Sequence, residues 1–236
     1  MKPPVAHSGR RMAKFFGSCG SGGPALRFAA VVVLSAGLAA CTEMPKPAAP
    51  STAQGAVAIF AGGCFWCVEQ DFEKLDGVVT AESGYTGGRT ANPTYYQVAY
   101  GLTGHVEAVR VIYDPKRVSY PQLLDYYWRH VDPTSKNGQF CDRGPEYRSV
   151  IFWRTEEERL AAEASRDALL KSGRLPVVFT EILPASTFWM AEVEHQDYYL
   201  KNPIRYNYYR AACGRDARVK AIWGGAPDAP ESGFRR

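Results

Sequence analysis

Six cysteines punctuate the 236 residues, and two of them lie close together in Gly62-Gly63-Cys64-Phe65-Trp66-Cys67-Val68-Glu69. A thiol attacks as its thiolate, and the thiolate is favoured where the N–H groups of a first helical turn point at it. Cys-x-x-Cys after a strand and at a helix start has the general form of a thiol–disulfide redox pair. Residues three apart share one helix face, so the two sulfurs can meet. Structural zinc sites use the same spacing, but Cys141 and Cys213 stand far off and form no second Cys-x-x-Cys, so no metal is expected. Sulfur chemistry on Cys64 is the first expectation. By type alone the other candidates are weaker. Glu107 lies in an alternating segment, where a solvated face is the ordinary reading. A Tyr such as Tyr95 or Tyr147 more often packs than donates to a ligand.

Elements must hold these side chains. Val57-Ala58-Ile59-Phe60-Ala61 is a short apolar run ended by two glycines, which predicts a buried strand and a tight turn. Phe65, Val68, Phe72 and Leu75 recur at three- and four-residue spacing, so a helix should run from Cys64 to about Lys74 with Cys64 at its N-terminus. A strand over 78–83 is closed by Gly84-Tyr85-Thr86-Gly87-Gly88, and Asn92-Pro93-Thr94-Tyr95 starts a turn or short helix. Residues 105–113 alternate as a strand. Ser119 with Gln122, and Thr155 with Glu158, are capping-box pairs that open helices, the second reaching about Lys171. Between those helices the chain reads as a loop over 137–146 and a strand over 148–153. A further strand is expected over 177–182 and an irregular aromatic helix over 194–209, interrupted at Pro203. After Cys213 the Gly-, Pro- and charge-rich chain reads as a tail with fraying end. Interleaved strands and helices predict an α/β (α+β) two-layer sandwich and exclude a helical bundle or an all-strand barrel. There is no P-loop and no dinucleotide fingerprint, so no cofactor is expected.

The formal charge of +4 is carried by the leader. Residues 1–41 hold Lys2, Arg10, Arg11, Lys14 and Arg27 and no acid, which leaves the remainder at −1. A near-neutral domain gives no electrostatic case for nucleic acid. The run from Phe28 to Ala40 is apolar, short and ends in small residues, the pattern of a secretory signal. Leu38-Ala39-Ala40-Cys41 resembles the lipobox of bacterial lipoproteins, which implies cleavage before Cys41 and a lipid on its sulfur. Thr42 after the cysteine leans toward the outer membrane of a Gram-negative bacterium. The expected organisation is a signal peptide over 1–40, lipidated Cys41 and a Pro/Ala/Ser/Thr-rich linker over 41–56, a catalytic domain over 57–211 and a tail over 212–236.

From about Ala58 to about Tyr199 the chain resembles the peptide methionine sulfoxide reductases of the A class. The resemblance is carried by Gly62-Gly63-Cys64-Phe65-Trp66, Gly84-Tyr85-Thr86-Gly87-Gly88, Asn92-Pro93-Thr94-Tyr95 and Thr103-Gly104-His105-Val106-Glu107-Ala108-Val109. It continues through His130 with Asp132-Pro133-Thr134, Asp142-Arg143-Gly144 with Tyr147-Arg148-Ser149, and Ala191-Glu192 with His195-Gln196-Asp197-Tyr198. The resemblance implies a ferredoxin-like core with a long irregular C-terminal arm. It implies reduction of the S epimer of methionine sulfoxide, free or in proteins. Cys64 would be the nucleophile and Glu107 the acid beside the sulfoxide oxygen. Tyr95 and Tyr147 would donate to that oxygen, Phe65 and Trp66 would enclose the methyl group, and Asp142 would organise the site. His195 matches the motif without a chemical step and is read as ordering the arm. Cys141 stands where the family more often has Asn, and Phe140 where it has Gly.

Attack on an activated sulfoxide would leave a sulfenic acid on Cys64, which condenses with a second thiol. Cys213 is the favoured partner because it lies on the arm; Cys67, one helical turn away, and then Cys141 are the alternatives. The electron donor implied is a thioredoxin-like thiol reductant outside the cytoplasm, and the enzyme is expected to be a lipid-tethered, periplasmic-side monomer. Two other functions fit parts of the sequence: a secreted thiol–disulfide oxidoreductase using Cys64 and Cys67, and a non-enzymatic lipid-anchored binding protein.

Overall fold

A computed structural model describes residues 55–224; the leader, Cys41, most of the linker and the chain after 224 lie outside the described residues. β1 (Ala56–Gly62) splits its side chains between two faces, Ala58 and Phe60 entering the main core and Ile59 and Ala61 a smaller one behind it. There follow α1 (Phe65–Glu73), β2 (Val78–Thr86), the short α2 (Tyr95–Ala99), β3 (Val106–Tyr113) and α3 (Tyr120–His130). A small hairpin of β4 (Gly138–Gln139) and β5 (Asp142–Arg143) leads through a 3-10 turn, Pro145–Tyr147, into β6 (Ser149–Trp153). Then come α4 (Glu156–Lys171), β7 (Glu181–Pro184), β8 (Trp189–Met190), α5 (Tyr198–Lys201), α6 (Pro203–Ala212) and α7 (Arg215–Trp223).

The large sheet has the order β7-β6-β1-β3-β2-β8. In its central four strands, β6-β1-β3-β2, each neighbouring pair is antiparallel, and they arise from the chain order β-α-β-β-α-β. That is the ferredoxin-like core the resemblance implied. The main core lies between the sheet and the helices, where Phe60 stacks between Phe72 of α1 and Tyr127 of α3, centroids 5.0 and 5.1 Å away. Behind the sheet, Val106, Ala108, Val150 and Phe152 form the smaller cluster, covered by Leu183, Ala185 and Phe188.

Local signals placed most elements. The Ser119–Gln122 capping box is present, and Leu123, Leu124, Tyr127 and Trp128 are buried as their spacing predicts. At α4, Thr155 accepts from the Glu158 N–H, while the Glu158 carboxylate accepts from the Arg154 N–H one residue earlier than a reciprocal box requires. Four expectations change. The strand expected over 177–182 lies at Glu181–Pro184, because Val177 and Phe179 face solvent and the Phe179 N–H donates to the Pro133 carbonyl. Proline is tolerated there because β7 is an edge strand. The loop over 137–146 contains the β4–β5 hairpin. β2 runs on through Gly84-Tyr85-Thr86 to pair with β8. The stretch after Cys213 carries α7, whose Arg215 and Val219 are buried.

Candidate active site

Cys64 is the residue before the first turn of α1, and its carbonyl accepts from the N–H groups of Cys67 and Val68. The chain arrives there through Gly63 at φ +86, where a side chain would collide with Gln139 of β4. Glycine is therefore required twice over at that turn, by conformation and by space. Beneath it, the Gln139 side chain holds Asp132 by both its N–H and its carbonyl, at 2.8 and 2.9 Å.

Glu107 enters from β3 and is 1% exposed. Its Oε2 accepts the Phe65 N–H at 3.0 Å, so a carboxyl group takes up one of the donors that α1 leaves without an intrahelical partner. Sequence alternation suggested a solvated face; burial of β3 on both sides of the sheet overrides it. Tyr85 lies opposite Glu107 in the β2–β3 register.

A box of rings surrounds this corner. Phe65 has Tyr85, Tyr95 and His195 around it at centroid distances of 5.8, 6.4 and 5.4 Å. The Trp66 indole stacks on Tyr198 at 3.7 Å and donates its N–H to His195 Nδ1 at 3.1 Å. His195 also stacks on Tyr95 of α2 at 4.3 Å. Nδ1 is an acceptor in that arrangement, so the neutral ring carries its proton on Nε2. Tyr147 is buried at the end of the 3-10 turn, which packs on β3, the strand that carries Glu107.

Cys67 shares the N-terminal turn of α1 with Cys64, and both are buried. Hydrogen bonding with Cys64 pulls the Cys67 thiol below its ordinary value; burial opposes this, and the Arg215 and Arg210 guanidinium groups reinforce it. Tyr209, edge-on to Trp66 at 6.0 Å, donates its hydroxyl to Asp142. Burial drives that phenol well above its usual range, helped by the charges of Cys64 and Asp142, so it stays a donor.

The resolving-cysteine expectation meets a different arrangement. Cys213 is joined to Cys141 in a disulfide, with Cα atoms 4.9 Å apart. The α6–α7 corner lies against the tip of the β4–β5 hairpin, which is why Cys213 meets Cys141, while the free cysteine one turn from Cys64 on α1 is Cys67. Cys141 is accordingly half of a disulfide and not a lone buried thiol.

Several contributors were missed from sequence. Glu192 accepts the Tyr85 hydroxyl at 2.7 Å and the Tyr95 N–H at 2.8 Å, tying β2, α2 and the arm together. Tyr209, Arg210 and Arg215 come from the arm, where no short motif marks a role. Glu192 and Tyr198 did lie within matched segments, the one signal that pointed to them. Among the described residues, Glu69, Glu73 and Asp197 stand close enough to share an ion. Their oxygens already serve Ser83, the Asp197 N–H, Ala81 and Tyr199, so the trio is accounted for as structure.

Comparison with known proteins agrees with this geometry. The family model for peptide methionine sulfoxide reductase matches residues 56–226. The chain is 50% identical over 196 residues to peptide methionine sulfoxide reductase MsrA 2 of Caulobacter vibrioides, covering 83% of this chain and 98% of the relative. Among solved structures it is similar to Mxr1 of Saccharomyces cerevisiae in reduced form, with TM-score 0.59, 31% identity, and coverage of 63% of this chain and 86% of that one. It is also similar to methionine sulfoxide reductase A of Corynebacterium diphtheriae, with TM-score 0.58, 35% identity, and coverage of 65% and 77%. A match that takes in the whole described domain, on a fold that brings the motif residues to one corner, means that the chain belongs to the peptide methionine sulfoxide reductase family.

Proposed function

We propose that the protein reduces the S epimer of methionine sulfoxide, free or in proteins, to methionine. The observation that carries this reading is the buried Cys64 before the first turn of α1, with Glu107 on the first N–H of that turn and a box of rings around both. Sulfoxide sulfur becomes electrophilic when its oxygen is protonated or strongly hydrogen-bonded. Glu107 supplies the proton, with Tyr95 and Tyr147 donating to the same oxygen, and Phe65 and Trp66 take the methyl group. Apolar walls and a fixed oxygen site together discriminate one epimer. The Cys64 thiolate attacks sulfur, the S–O bond breaks with its oxygen passing to Cys64, and methionine leaves. The product is Cys64 sulfenic acid, which the Cys67 thiol attacks to give a Cys64–Cys67 disulfide and water. A thioredoxin-like dithiol then restores the pair. Cys67 takes the resolving part because it stands one turn from Cys64 on α1 with its thiol free, whereas Cys213 is engaged with Cys141.

The same proposal places the domain outside the cytoplasm, exported by the leader, tethered as a monomer by lipid on Cys41 and facing the periplasm from the outer membrane. The reading of a tether rests on Cys41 and the apolar run before it. Acyl labelling of the wild type but not of Cys41→Ser tests the anchor. For the chemistry, wild type should turn over the S sulfoxide and leave the R epimer, and Cys64→Ser should turn over neither. Peptide mapping after one turnover should find Cys64 linked to Cys67; a Cys64–Cys213 linkage would overturn the resolver.

A further inference from the structure

Behind the Cys64–Cys67 pair lies a buried guanidinium whose contacts the reaction above does not use. Arg215, the first residue of α7, is 2% exposed. It donates to the Gly62 carbonyl at 3.0 Å and to the His130 carbonyl at 2.8 Å. Its Nε stands 3.4 Å from the buried carboxylate of Asp71. One arginine therefore ties the strand end that delivers Cys64, the end of α3 and the core of α1 to a single point. A fork of donors suits such a role in a way that a lysine ammonium does not.

What seats that arginine is unusual. Its guanidinium lies 4.5 Å from the centroid of the Phe140 ring. Phe140 sits at φ +54, a left-handed conformation in which a bulky residue is strained. The residue after Phe140 is Cys141, the residue two before Arg215 is Cys213, and these two form the disulfide. The Cys141 N–H also points at Cys213 Sγ, 3.2 Å away. The hairpin tip and the α6–α7 corner are thus joined twice, once by the S–S bond and once by the ring over the guanidinium.

We propose that Arg215 is a positioning residue for the Cys64–Cys67 pair, and that the Cys141–Cys213 disulfide is the latch that keeps it seated. This rests on the reading of Cys64 and Cys67 as the reacting pair. The charges that face the pair are Arg215 from α7, Arg210 from α6 and Asp71 from α1, with Glu107 of β3 on the Phe65 N–H. The hydroxyls of Tyr206 and Tyr209 on α6 also feel the two sulfurs. Asp71 is itself paired with Arg210 at 2.8 Å, and Asp216 of α7 holds the same guanidinium at 2.6 Å.

The test reads the thiols and not sulfoxide turnover, so it stands apart from the test of the reaction. Alkylation of the peptide bearing Cys64 and Cys67 is followed by mass against pH in the full-length protein, at a temperature where each variant is folded. Arg215→Met should move the profile to higher pH and slow alkylation at neutral pH about tenfold, as one pKa unit requires. Arg215→Lys should fall between wild type and Met, because it keeps the charge and loses the fork. Cys141→Ser with Cys213→Ser should shift the profile in the same direction by less, since the two carbonyl contacts still hold Arg215. A folded Arg215→Met with the wild-type profile would overturn the positioning role. If that variant does not fold, a wild-type profile in Arg215→Lys overturns it instead. An unmoved profile in the double serine variant overturns the latch.

Discussion

Glu69 shows how much a single buried carboxyl decides. It lies on α1 and is 1% exposed, with Oε2 accepting the Ser83 hydroxyl at 2.6 Å and Oε1 accepting the Asp197 N–H at 2.8 Å. Burial outweighs both bonds and pushes its pKa from 4.5 up to about 7. An acid whose folded pKa exceeds its unfolded one holds its proton more tightly when folded. Its contribution is therefore fully present below the unfolded value of 4.5, is lost as pH rises toward about 7, and changes no further above that. Glu69→Gln keeps the shape: its carbonyl accepts from Asp197 and its amide donates to Ser83. The variant should match wild type in acid and exceed it by on the order of 2 kcal/mol at mildly alkaline pH. Urea unfolding at the two pH values checks this, and a wild-type advantage on the alkaline side refutes it. At this scale sequence was uneven. Cys64 could be read from its own type, spacing and helix start. Glu107, Tyr95 and Tyr147 became candidates through the family's motifs, because nothing in an isolated Glu or Tyr distinguishes a site residue from a packed one. Tyr209 and Arg215 sit in unremarkable helical sequence, and their importance exists only in what folds against them.

Elements tell the same story through pairing. β8 is two residues long, yet it delivers Glu192 to Tyr85 and Tyr95. Its pairing with β2 sets Met190 opposite Gly84, and a Cβ on Gly84 would stand 2.4 Å from both the Phe188 ring and the Trp189 carbonyl. Real Cβ contacts do not come that close, so Gly84→Ala must push β8 away from the sheet. We expect a loss of about 1–3 kcal/mol from overpacking, and with it displacement of Glu192 and Tyr95. Denaturant midpoint and turnover should fall together; a variant with unchanged midpoint would show that β8 is not held by this close approach. The longer elements were legible because periodicity and caps are local: α1, α3 and α4 announce themselves in a dozen residues. β7 was misplaced and β8 missed because a two- to four-residue edge strand carries almost no period. Their positions are chosen by partners far along the chain, Ser149–Trp153 for one and the Gly84-Tyr85 segment for the other.

Across the whole molecule, the ferredoxin-like order of the central strands follows from the family resemblance and not from spacing; the interleaving of strands and helices alone reaches only a two-layer class. The closure of the molecule was not legible at all. Cysteine arithmetic leaves three pairings for Cys64, Cys67, Cys141 and Cys213, and the sequence reading favoured Cys213 as the partner of Cys64 only because it lies on the arm. The fold selects Cys141–Cys213 by bringing the α6–α7 corner to the β4–β5 tip. That bond spans 72 residues, from the hairpin to the end of α6, and so encloses β6, α4 and the whole approach to the arm. Restricting so long a loop in the unfolded chain stabilises the fold by about 4 kcal/mol in the chain-entropy model. For a domain of this size each kcal/mol moves the melting temperature by about 2–4 °C, so Cys141→Ser with Cys213→Ser should melt roughly 10 °C below wild type. Because α6 and α7 carry Tyr209 and Arg215 into the site, sulfoxide turnover should fail over that same lowered range, ahead of wild type. Thermal unfolding of the two proteins, followed by helix signal and by activity, decides the matter: coincident melting curves would mean that the native chain is held shut by packing of the arm alone.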